Sequence, residues 1–170
     1  MSILETENNQ PHKITHAELV KVAENWLYKT IGCGVVFSEF VTQAMEIPDA
    51  LGLKASYSYL VECKISRSDF AADKKKFFRR FPEEGVGDFR FYLCPKDLIK
   101  LEELPDKWGL LYFDGKRVKK IKSPRGNISS QWLDFRFEKS RLQEFRIMYS
   151  ALRRIKLRGH LDAIYEKLEN

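Results

Sequence analysis

Residues 48–76 read PDALGLKASYSYLVECKISRSDFAADKKK. Within this stretch, Tyr57 to Ile65 carries the clearest strand signal of the chain. Alternation puts Tyr59, Val61, Cys63 and Ile65 on one face and Leu60, Glu62 and Lys64 on the other. Pro48 to Leu53 predicts the strand before it, with Pro48 at the start, where a missing backbone donor is tolerated. If a turn near Lys54 to Ser56 pairs the two strands, Asp49 reaches the face of Glu62 and Lys64. Two carboxylates and one ammonium then converge. Downstream, Ser68 reads as the N-cap of a helix running to about Phe81. Its apolar stripe is Phe70, Phe77 and Phe81, and Lys74, Lys75, Lys76, Arg79 and Arg80 make the remaining surface basic.

Working outward, residues 1–12 read as a loose tail without a signal-peptide core. Residues 14–29 predict a helix, with Leu19, Val22, Ala23, Trp26 and Leu27 at helical spacing and a Thr15–Glu18 capping box. Cys33 to Phe37 predicts a first strand, with Glu39 just past it. Beyond the quoted stretch come strands at Phe89 to Leu93 and Leu110 to Phe113, an Asp114-Gly115 hairpin turn, and a basic strand from Lys116 to Lys122. Ser123 to Ser130 reads as a loop. A long helix follows, with a stripe of Leu142, Phe145, Met148, Leu152 and Ile155, ended by Gly159. Leu161 to Leu168 predicts a last short helix.

A glutamate and a lysine two apart on a strand often form an ordinary solvated pair. The upstream Pro48-Asp49 and the order αβββαβ favour a chemical reading. Hard divalent cations take carboxylate and carbonyl oxygens plus water. Such an ion polarises a phosphoryl oxygen and lowers the pKa of bound water, while a nearby lysine orients that water or stabilises developing charge. The side chain of Cys63 faces away, but its carbonyl oxygen remains a candidate ligand.

The runs Pro48 to Gly52, Leu60 to Phe70 and Ala72 to Lys76 resemble the PD-(D/E)xK nuclease superfamily. The resemblance is to small phage and bacterial members and to the MmcB-like DNA-repair branch, and spans roughly residues 16–113. It implies an α/β (α+β) fold with a restriction-endonuclease-like αβββαβ core and a mixed central sheet, plus C-terminal helices. It also implies Asp49 and Glu62 as ligands of Mg²⁺, with Mn²⁺ as a substitute, and Lys64 as the catalytic lysine of a DNA phosphodiester hydrolase. The family often adds an acidic residue from the first helix or first strand. Glu39 is the first choice here, with Glu24 and Glu18 behind it.

On this reading the nuclease core spans 13–125 and a helical extension spans 126–170. Ser66, Arg67 and Ser68 are candidate phosphate contacts at a helix start, with plain capping as the alternative. Lys74, Lys75, Lys76 and Arg79 are candidate contacts to a DNA backbone. The blocks Lys116–Lys122 with Arg125, and Arg153–Arg158, offer a second side to a clamp. Phe77, Phe78 and Phe81 read as core rather than base-stacking platforms.

The 170 residues, 44% hydrophobic and 32% charged, fit one domain with a real core, and the net charge of +6 favours an anionic partner. DNA is the expected partner, with RNA left open. Cys33, Cys63 and Cys94 are too few and too scattered for a disulfide framework or a zinc site. They point to a reducing cytoplasm and read as buried small hydrophobes. No apolar run approaches a membrane span. The rivals are a non-catalytic nucleic-acid-binding module and an interaction subunit. The C-terminal helices either cap the core or join two chains as a homodimer.

Overall fold

A computed structural model describes residues 13–124 and 130–167. The tail 1–12, Arg125 and Leu168 lie outside the described residues. The first helix, α1 (His16–Trp26), starts on the expected capping box, with the Thr15 N–H donating to the Glu18 carboxylate at 2.8 Å. A π-helical turn, Leu27–Ile31, extends it to Gly32. That glycine ends the helix at φ 78°, where a Cβ would be strained.

Six strands form one mixed sheet in sequence order. Strands β1 (Val35–Ser38), β2 (Ala50–Lys54) and β3 (Tyr57–Cys63) run antiparallel, with Ala50 opposite Val61. Strands β4 (Phe89–Pro95) and β5 (Gly109–Phe113) continue parallel to β3, and β6 (Val118–Lys122) closes antiparallel after the Asp114-Gly115 turn. The fold is therefore mixed α+β. The parallel step from β3 to β4 holds two short helices, α2 (Arg67–Asp73) and α3 (Phe77–Arg80). After β6 come α4 (Ser130–Asp134), α5 (Arg141–Leu157) and a 3₁₀ turn, Leu161–Tyr165.

The alternation in β3 builds two cores. Tyr59, Val61 and Cys63 pack with Leu19, Ala23 and Trp26 of α1 and with Trp132. Leu60 packs on the other face with Phe70, Tyr92, Trp108 and Ile147. Each such fully buried Leu or Phe contributes about 1.5–3 kcal/mol relative to exposure. Among the described residues no helix is long and apolar enough to cross a membrane.

Two expectations need correction. The helix expected from Ser68 to Phe81 is capped instead by Ser66, whose hydroxyl accepts from the Asp69 N–H, and it breaks at Lys74–Lys76. Phe77 and Phe81 are exposed, and Phe78 takes the buried place on α3. The apolar stripe of α5 faces outward, while Gln143, Glu144 and Ile147 face the body. In addition, the last helix is a 3₁₀ turn over its described part.

Candidate active site at the end of strand β3

Glu62 and Lys64 leave β3 on the same side, as period-2 geometry requires, and both side chains are buried. Lys64 Nζ lies 3.0 Å from Glu62 Oε2 and 3.2 Å from Asp73 Oδ1. Asp49 stands just before β2, across from the end of β3. Its Oδ2 accepts the Cys63 N–H at 2.7 Å. A strand residue's N–H and C=O share one edge. The Lys64 N–H points the other way, to the Leu93 carbonyl, so both backbone groups of Cys63 face Asp49. The Cys63 backbone thus stands beside the Asp49 carboxylate, and Asp49 lies within electrostatic reach of the Glu62–Lys64 pair.

Around them lies a charge network that the sequence did not announce. The Arg79 side chain is only 3% exposed. It reaches Asp73 at 2.8 Å, Glu46 at 3.0 Å and Glu62 at 3.2 Å. Tyr92 donates its hydroxyl to Asp73 at 2.6 Å. Lys76, 47% exposed, reaches over the break between α2 and α3 to Asp73 at 2.9 Å and Glu62 at 3.2 Å. Glu46 also accepts the Val86 N–H. Arg79, expected on a solvated basic face, is therefore an internal counterion. Lys76 is half committed to the same task.

These contacts decide charge states. Burial pushes the Asp49 carboxyl up, and the neighbouring charge of Glu62 adds to that, to about 6. Burial works against a charged Lys64, but Glu62, Asp73 and Asp49 outweigh it and hold its pKa above that of an ordinary lysine. Lys64 is therefore a fixed cation rather than a base. Burial would also raise Asp73, but Arg79, Lys64 and the Tyr92 hydroxyl hold it far below the carboxylate range. Burial pushes the Cys33 and Cys94 thiols up to about 11 and 12, as befits buried small hydrophobes.

Of the acidic candidates, Glu39 comes nearest. Its backbone turns at φ 45° and its N–H donates to the carbonyls of Pro48 and Asp49. His16, the first residue of α1, bridges the two carboxylates, with Nδ1 3.6 Å from Glu39 and Nε2 3.5 Å from Asp49. Glu24 is held by Ser38 and Lys21, and Glu18 by its capping box. His16, Glu46 and Asp73 escaped the sequence reading because each lies outside any motif spacing. Asp73 offered one cue, standing three residues before Lys76 and six before Arg79.

Ser66, Arg67 and Ser68 are already engaged. Ser66 caps α2 and bonds Ser68, and Arg67 is paired with Glu103 and the Leu98 carbonyl. Lys74 and Lys75 remain on the surface.

Among the described residues, no group of three or more His, Cys, Asp or Glu side chains is disposed to hold a metal. The available set is two carboxylates and a backbone carbonyl. That suits Mg²⁺, which keeps several waters and takes one or two protein carboxylates. Glu62 Oε1 is buried without a hydrogen-bond partner. Such an orphan costs about 1–3 kcal/mol unless a cation or donor meets it, which supports the fit.

No family model matches the chain, and no curated protein matches it. A solved structure of a protein of unknown function from Silicibacter pomeroyi is similar, with a TM-score of 0.55 and 21% identity. The match covers 94% of this chain and 100% of that one. The likeness extends to the fold alone.

Proposed function

We propose that the chain is a metal-dependent nuclease of the PD-(D/E)xK type, with a restriction-endonuclease-like core, that hydrolyses DNA phosphodiesters. The observation that carries the reading is Asp49 at the Cys63 backbone beside the buried Glu62–Lys64 pair, with Glu62 Oε1 left without a hydrogen-bond partner. Asp49, Glu62 and the Cys63 carbonyl would hold Mg²⁺ or Mn²⁺. Such an ion would lower the pKa of water at the site and supply Lewis acidity toward the phosphoryl oxygen.

The chain's own residues supply the rest. Lys64, permanently charged, stabilises negative charge on the phosphoryl group in the transition state. Asp73, Arg79 and Tyr92 hold Lys64 in place without approaching the substrate. His16 orients the Asp49 carboxylate from the α1 side. Lys74 and Lys75, exposed beside the site, meet the DNA backbone.

The test is supercoiled plasmid incubated with Mg²⁺ or Mn²⁺, beside Lys64→Ala, Glu62→Gln and an EDTA control. Nicking by the wild type alone is the expected result. Equal cleavage by wild type and variants, or silence on duplex, branched and single-stranded DNA and on RNA, sinks the reading. One observation favours a non-catalytic binding module instead: Lys64, Lys76 and Arg79 already neutralise Glu62 without any metal. Retained DNA binding without cleavage on every substrate is the outcome that supports it.

A further inference from the structure

Helix α5 is amphipathic, but its polar side is the one packed on the protein. Gln143 accepts the Met45 N–H at 2.9 Å. Glu144 accepts the Gly87 N–H at 3.0 Å and pairs with Lys139 at 2.7 Å. Arg154 stacks over Phe40 and donates to the Val41 carbonyl. These bonds fix the rotation of the helix and send its apolar residues outward. Leu142, Phe145, Met148, Tyr149 and Leu152 are all exposed, Phe145 at 60% and Leu152 at 50%. Leu142, Phe145, Tyr149 and Leu152 repeat at the 3-4-3 spacing of a helix-pairing seam. Val41 and Met45 extend the patch beside the helix. A monomer rarely leaves such a contiguous apolar surface uncovered.

At the C-terminal end of α5 the patch becomes a cavity of about 320 Å³, lined by Tyr149, Leu152, Leu157 and Leu161, with Arg153 and Lys156 on its walls. The one carboxylate of α5, Glu144, is turned inward. The outward face of α5 itself is thus apolar at the centre and cationic at its edge, while the turn after it carries exposed Asp162 and Glu166. That combination selects the occupant. A phosphate backbone would leave the apolar stripe against polar groups. A second copy paired along the stripe would set Arg153 and Lys156 against another α5, whose outward side chains carry no acid. A flat bilayer would not fill the concave end. We infer that α5 is the docking face for an acidic amphipathic helix of another protein, whose apolar residues lie along the stripe and whose carboxylates meet Arg153 and Lys156. This inference does not rest on the nuclease reading.

The probe is a fluorescent helical peptide with leucines at its seam positions and glutamates around them, titrated against the full chain by anisotropy. Saturable binding is expected, weakened roughly tenfold or more in Phe145→Ser/Leu152→Ser and in Arg153→Glu/Lys156→Glu. It should weaken with salt and vanish when the glutamates are lysines. The substituted side chains are exposed, so wild-type melting temperatures are expected for both variants. If a variant fails to fold, the salt dependence and the lysine peptide still decide. No saturable binding up to about 100 µM overturns the proposal, and so does an affinity indifferent to both variants. A dimer in sedimentation that Phe145→Ser/Leu152→Ser dissociates, or retention on phosphatidylglycerol vesicles without peptide binding, assigns the face to another occupant and also overturns it.

Discussion

Asp49 burdens the metal-free protein. Its carboxyl titrates near 3.8 when unperturbed and is pushed up to about 6 in the fold by burial and by Glu62. A folded pKa above the unfolded one means that the native state holds the proton more tightly. This group's contribution is therefore full below about pH 4 and is lost as pH rises through about 6. Asp49→Asn keeps an acceptor for the Cys63 N–H and removes the charge. It is expected to stabilise the chain in EDTA at pH 8 by about 1–3 kcal/mol, to have no effect below pH 4, and to lose Mn²⁺ binding. Thermal melts at the two pH values, with calorimetry for the metal, check this, and a lower melting temperature at pH 8 contradicts it. Lys76 is the opposite case, an outside cation leaning on Glu62 and Asp73. Lys76→Met removes a charge that repels a divalent ion, so Mn²⁺ should bind several-fold more tightly. Unchanged affinity would show that Lys76 does not compete for the carboxylates.

Among the elements, β3 was legible because an alternating pattern dictates which side chains share a face. Tyr59, Val61 and Cys63 entered one core, and Leu60, Glu62 and Lys64 turned to the other side, as its sequence implies. The basic run after it was not legible. A single helix through Lys74–Lys76 satisfies propensity, whereas the structure breaks there into two short helices while Lys76 and Arg79 both reach the buried Asp73. In α5 the stripe was legible and its direction was not, since periodicity does not say which face meets the body. Buried hydrogen bonds from Gln143 and Glu144 decided that. The approach to α5 hangs on Asp88, a buried carboxylate bonded to the Ser58 N–H at 2.9 Å and to Arg136 at 3.1 Å, and paired with Lys139. Asp88→Ala strands these donors and is expected to cost about 3–5 kcal/mol in denaturant unfolding. A loss below 1 kcal/mol would show that apolar packing alone docks the segment.

At the scale of the whole molecule, the net charge of +6 understates the cationic surface, because among the described residues the carboxylates of Glu46, Glu62, Asp73, Asp88 and Glu144 are turned inside against only Lys64, Arg79 and Arg90. The basic strand β6 needs another account besides a DNA clamp. Among the described residues it pairs with β5 alone, which leaves its outer row of backbone donors and acceptors to template a further strand. Exposed Lys119 and Lys120 lie along that edge, and a register shift between Leu110 and Leu111 bends the pairing beside it. Like charges on two such edges keep molecules from stacking into fibres. With Lys119→Thr and Lys120→Thr together, light scattering should grow within hours in a concentrated sample while the melting temperature stays put. The lysine-rich strand then serves colloidal stability, and its basicity is the mark of a guarded border.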